Sequence, residues 1–159
     1  MVSTDELLYQ MELNDYTLKR HLAGLTAEDA LRQPPFRGNC LNWVMGHLVE
    51  ARHYMLDLLG VPGVWSAAQC QRYMSGSAPV TGSDSPHEPW ENILAAAEES
   101  LKRIRAKLQT MTAADLQVIP PGDTDALGMI LLRMTWHEAY HTGQTELLRQ
   151  LAGKNDRVL

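Results

Sequence analysis

Positive charge is scarce in this chain: Lys and Arg number 14 against 19 Asp and Glu, a net charge of -5 over 159 residues. That balance removes the global field that draws proteins to DNA, RNA or anionic membranes. Cysteine is scarcer still. Cys40 and Cys70 stand alone, with no CxxC and no pairing framework, which fits a reducing compartment. No segment approaches the length of a membrane span, and the first ten residues carry acidic groups where a signal peptide would be continuously apolar. A soluble, cytoplasmic protein is expected, with no nucleic-acid or membrane partner. Also missing are repeats, a coiled-coil register, low-complexity tails and any sustained strand alternation. The length suits one domain, 1-159, and the 45% hydrophobic content is enough for a core without disulfides.

What is present is helical period, in four segments, so the predicted fold is all-α. The first helix runs from about Thr4 to Ala23, with Ser3 or Thr4 as cap, Leu8, Met11, Leu18 and Leu22 inward, and Gly24 as its stop. The second begins near Asn39 as N-cap, turns Val44, His47, Ala51, Met55 and Leu58 inward, and ends at Gly60 and Pro62. Pro89 opens the third, whose seam is Trp90, Leu94, Ala97, Leu101, Ile104 and Leu108. The fourth follows Pro120-Pro121-Gly122, with Asp123 or Thr124 as cap, and continues to about Leu151. Between the second and third helices lies Gly60 to Glu88, rich in Gly, Ser and Pro and longer than a tight turn requires. It reads as the crossover of a four-helix bundle, laying Trp65, Tyr73 and Met74 over one end as a lid.

The fourth helix carries chemistry on its inward stripe. Steps of three and four from Leu127 fall on Ile130, Met134, His137, His141, Gln144, Leu148 and Leu151, so imidazoles stand where hydrocarbon is usual. His137 and His141 lie within about 40° of one helix face and roughly 6 Å apart along the axis, a gap that one ion bridges. Two buried imidazoles are costly unless something satisfies both, and a divalent metal does so economically. His47 on the second helix is either a hydrogen-bonded core histidine or the third ligand. As a ligand it gives three neutral nitrogens with positions left for water or substrate. His21, His53 and His87 fall off the stripes or in the loop and read as surface residues.

His137-Glu138-Ala139-Tyr140-His141 also matches the HExxH pattern of zinc proteases, with Glu138 as general base. Those enzymes need a further ligand downstream. Only 18 residues follow His141, position 147 is leucine, Glu146 is too close, and no strand exists to align a peptide. Glu138 therefore reads as a surface charge, with hydrogen bonding to a metal ligand as the alternative. Trp43, one turn before His47, either walls a pocket or fills the core, and the same choice applies to Trp136 and Tyr140. Cys40 reads as a small buried hydrophobe, Gln144 as an amide able to orient a ligand or water, and Gly143 as a site of close helix approach.

Two segments carry a resemblance: Asn42-Trp43-Val44-Met45-Gly46-His47-Leu48, and His137-x-x-x-His141-x-Gly143-Gln144. Over nearly its whole length the chain resembles the DinB-like family of bacterial four-helix-bundle metalloproteins, named for DNA-damage induction. The resemblance implies helices running up, down, down, up, and a site of His47, His137 and His141 for Zn or Ni completed by water. It also implies a homodimer. Relatives include thiol-dependent S-transferases and a mycothiol-dependent maleylpyruvate isomerase, so the implied activity is metal-dependent transfer of a low-molecular-weight thiol to a small electrophile. The alternatives are a non-catalytic metal-binding stress-response protein and a small-molecule metallohydrolase.

Overall fold

In a computed structural model, which describes residues 2–158, every regular element is helical. Met1 and Leu159, the ends of the expected domain, lie outside the described residues. Helix α1 (Thr4–Leu22) opens on a capping box in which the Ser3 hydroxyl accepts from the Glu6 amide at 3.2 Å and the Glu6 carboxylate accepts from the Ser3 amide at 2.9 Å. A single turn, α2 (Ala27–Ala30), leads to α3 (Leu41–Leu58). The crossover contains a short helix, α4 (Ala67–Tyr73), and is followed by α5 (Trp90–Leu108), a 3-10 turn at Asp115–Gln117, and α6 (Leu127–Leu151). Among the described residues no helix is long and apolar enough to cross a membrane.

Four long helices form the bundle. Helix α3 packs beside α5 and α6, and α1 beside the same two, so α1 and α3 are diagonal. Two apolar clusters fix the directions. One gathers Leu18, Val44, Ile93 and Leu148, and the other gathers Leu7, Met55, Ile104 and Leu131. Residue numbers rise from the second cluster to the first along α1 and α6, and fall along α3 and α5. The helices thus run up, down, down, up, the order the resemblance implies, and the 60–88 crossover lets α3 and α5 lie parallel.

Two helix starts differ from expectation. Helix α3 is capped at Cys40 rather than Asn39, without a side-chain cap bond; the Cys40 thiol instead donates to the Val80 carbonyl at 3.4 Å. Helix α6 begins after Ala126 rather than at Asp123 or Thr124. The Leu127 amide is taken by the Val118 carbonyl at 2.8 Å, so the preceding turn sets the start.

The register of α6 also differs. Its most buried line below Leu131 is Thr135, Glu138, Thr142, Thr145 and Arg149, while His137, His141 and Gln144 sit half-buried beside it. Helix α6 lies between α1 and α3 and faces both with polar groups that find partners. Asn14 donates its amide to the Thr135 carbonyl at 3.0 Å, and His21 bonds the Thr145 hydroxyl at 2.9 Å. The Arg149 guanidinium donates to the carbonyls of His21 and Ala23 at the open end of α1. Each bond satisfies a group whose burial alone would be destabilising.

Candidate metal centre

Helix α3 places His47 at the bundle's flank, and the crossover fixes its ring. Nδ1 of His47 lies 2.8 Å from the Tyr73 carbonyl, so that nitrogen carries the proton and Nε2 presents its lone pair. Tyr73 is itself held: its hydroxyl donates to the Asn42 side chain at 2.9 Å and accepts from the Glu88 amide at 2.7 Å. Gly46 admits this arrangement. A Cβ built on it would stand 2.2 Å from the Tyr73 ring, so a side chain at 46 and a packed Tyr73 are incompatible. Trp43 stacks on His47 with centroids 5.0 Å apart and donates its indole N–H to the Ser77 hydroxyl at 3.1 Å. It thus walls the site and is buried in the core at once.

From α6, His137 and His141 meet His47. Nε2 of His137 lies 3.1 Å from Nε2 of His47 and 3.2 Å from Nε2 of His141. Among the described residues these three form the cluster of side chains able to hold an ion. His141 Nδ1 lies 2.7 Å from the Gln144 amide oxygen, which fixes its proton there and turns Nε2 inward as a lone pair. His137 Nδ1 is buried without a partner.

The donor set fits a divalent cation. Two lone pairs already face one point, and a proton on His137 Nε2 could satisfy only one of them, whereas a central cation satisfies all three. Tetrahedral zinc with Zn–N near 2.05 Å sets its nitrogens about 3.3 Å apart, close to the 3.1 and 3.2 Å that separate His137 Nε2 from the other two. Burial pushes all three imidazoles toward the neutral, ligating form. His47 is held below its ordinary value by burial against the Tyr73 bond; His137 by burial and by His47. Burial takes His141 down to about 4, outweighing the Gln144 bond.

A sequence model for the DinB superfamily matches residues 10–145. The chain belongs to the DinB superfamily. Its fold is also similar to a crystal structure described as a conserved protein from Enterococcus faecalis, with TM-score 0.71 and 16% identity over 96% of this chain and 98% of that one. No curated protein sequence matches it.

Several residues of this DinB-superfamily chain stand elsewhere than expected. Glu138 is not a surface charge: it is 2% exposed, and both carboxylate oxygens accept from Arg52, at 2.7 and 3.0 Å. A carboxylate so held is not free to serve as a protease base. Burial opposes the Arg52 charge, and the neighbouring Glu138 outweighs it, keeping the guanidinium protonated. Arg52 was not singled out from the sequence; the signal was a lone cation among the apolar residues of the second helix. Trp136 and Tyr140, read as core or pocket, are 66% and 57% exposed and stack on each other outside the bundle. Gly143 faces open space, so no close helix approach depends on it.

The outlying histidines and the crossover complete the corrections. His21 is buried, bonded to Thr145 as described, because α1 runs parallel to α6 and meets it there. His53 is half-buried, its ring seated under Gly63 and accepting from the Trp65 amide at 3.3 Å. His87 is half-buried against the Ser85 carbonyl at 2.7 Å. In the crossover, Tyr73 and Trp65 pack inward as expected, whereas Met74 is exposed.

Proposed function

We propose that this protein binds one divalent cation, Zn or Ni, through His47, His137 and His141, and uses it to transfer a low-molecular-weight thiol to a small electrophile. The observation that carries the reading is the convergence of three imidazole Nε2 atoms, two of them with their opposite nitrogens already committed to oxygen acceptors. A bound divalent cation lowers the pKa of a coordinated thiol or water and so supplies a nucleophile at neutral pH. The chain's own groups do the rest. The Tyr73 carbonyl and Gln144 hold the proton of their histidines at Nδ1, and Trp43 shields one flank of His47 from water. The thiol is favoured by the family resemblance, with water as the alternative nucleophile. Hydrolysis assisted by Glu138 loses support because Arg52 occupies that carboxylate. A non-catalytic metal-binding stress-response protein is disfavoured by the cavity of about 180 Å³ that opens beside His141.

The proposal extends to a homodimer in the cytoplasm. Tyr9 and Tyr16 of α1 and Leu132, Trp136 and Tyr140 of α6 expose a large apolar face on adjacent helices, which supports pairing with a second copy.

Elemental analysis of protein purified without affinity metals tests the centre. Near-stoichiometric Zn or Ni is expected in wild type and absent from His47→Ala and His137→Ala; full retention in either variant rejects the ligand set. For the reaction, a haloarene or epoxide should be consumed only with both metal and thiol present. Silence across a panel of bacterial thiols, with metal bound, would return the protein to the metal-binding class.

A further inference from the structure

The cavity beside His141 lies between the segment preceding α3 and the outer side of α6. Phe36 and Trp43 give it aromatic walls, Asn39 and Gln144 give it amides, and Arg37 also lines it. No carboxylate does. Arg37 is exposed and forms no hydrogen bond or ion pair with any described residue, whereas every other arginine of the chain is engaged. In a protein of net charge -5, a free guanidinium at the mouth of a cavity that is lined by His141, one of the three imidazoles, is a local attraction for an anion. A guanidinium's fork matches a carboxylate in two parallel bonds, and its single charge suits a monoanion. The volume of about 180 Å³ corresponds to roughly six waters, below the usual range for drug-sized ligands, so the occupant is small.

We infer that this cavity is the co-substrate subsite, and that it takes a small, flat monocarboxylate anchored by Arg37 and stacked between Phe36 and Trp43, with its far end toward His141. The inference rests on the metal-centre reading for what lies at that far end, but the anion contact itself does not require the metal.

Benzoate and its neutral analogue benzyl alcohol serve as probes, with binding followed by calorimetry and by ligand-observed NMR on metal-loaded wild type, Arg37→Ala and His137→Ala, and metal content measured on each. Benzoate is expected to bind wild type at least about tenfold more tightly than benzyl alcohol, and Arg37→Ala to lose that advantage while keeping its metal. Retention of benzoate binding in metal-free His137→Ala would uphold the subsite independently of the metal, and the same preference for benzoate in wild type that binds no metal would uphold it even if the metal reading failed. Benzoate binding unchanged in Arg37→Ala and lost in His137→Ala would place the carboxylate on the metal and overturn the inference while leaving the centre intact. Equal binding of both probes to wild type would overturn it outright.

Discussion

Helices α3 and α6 meet through two polar clusters, and the two are opposites. At Arg52 and Glu138 a buried cation meets a buried anion through two parallel hydrogen bonds, and a third guanidinium bond reaches the Ala97 carbonyl at 2.6 Å. That cluster is closed on itself. One turn away His47, His137 and His141 turn their Nε2 atoms toward a common point with nothing of the chain's own to satisfy all three. Polarity inside a bundle is therefore no guide to function; what separates the two is whether the chain satisfies its own groups.

The sharpest way to break the contrast is to open the closed cluster. Glu138→Ala leaves Arg52 charged and buried, and should cost about 3–5 kcal/mol in chemical denaturation. The double change Arg52→Met with Glu138→Leu should recover most of it; a single variant within about 1 kcal/mol of wild type would show the pair to be energetically idle. The open cluster should behave in reverse, gaining from outside. Zinc at a hundred times its dissociation constant should stabilise wild type by about 2.7 kcal/mol, visible as a raised Tm that His137→Ala does not show. Gly46→Ala comes next. Its methyl group evicts the Tyr73 ring, so His47 loses its orienting carbonyl, and metal affinity should fall by about 10–100-fold with helicity retained. An unchanged affinity would mean that the Tyr73 carbonyl does not orient His47.

Acidity acts more gently. The folded-state pKa values of His47, His137 and His141 all lie below the ordinary imidazole value, so protonation favours the unfolded chain. Metal-free stability should be full above pH of about 6.5 and decline as pH falls toward about 4, the value of His141. A flat profile across that window, read by denaturation midpoints, would place these imidazoles in water. The smallest effect is expected from His137→Ala without metal, under about 1 kcal/mol, since it removes one of three Nε2 atoms that the apo protein leaves incompletely satisfied.

The four helices, the crossover and the His137–His141 pair were legible in the sequence because each rests on spacing: apolar residues at helical period, a Gly- and Pro-rich break, and histidines at i and i+4; that His47 joins the pair was implied by the family resemblance, since spacing left it either a core histidine or a ligand. What spacing could not show is burial of polar residues whose partners are distant in the chain. Glu138 reads as solvated until Arg52 is placed opposite it, and His21 as a surface residue until Thr145 is. Periodicity assigns hydrocarbon to the interior, so it set the inward stripe of α6 on His137 and His141 when Thr135, Glu138, Thr142 and Arg149 lie deeper. The exposure of Trp136 and Tyr140 escaped for the mirror reason: aromatic side chains are read as core, and nothing local says that a face is left uncovered.

The parallel pairing of α1 with α6 bears on how the chain is made. Helix α1 leaves the ribosome before α5 and α6, its two long neighbours, so it must wait for both before it docks. His137 and His141 emerge with α6, the later of the two. Until they do, the nascent bundle offers one of the three imidazoles, and acquisition of the ion follows the assembly of this domain rather than seeding it.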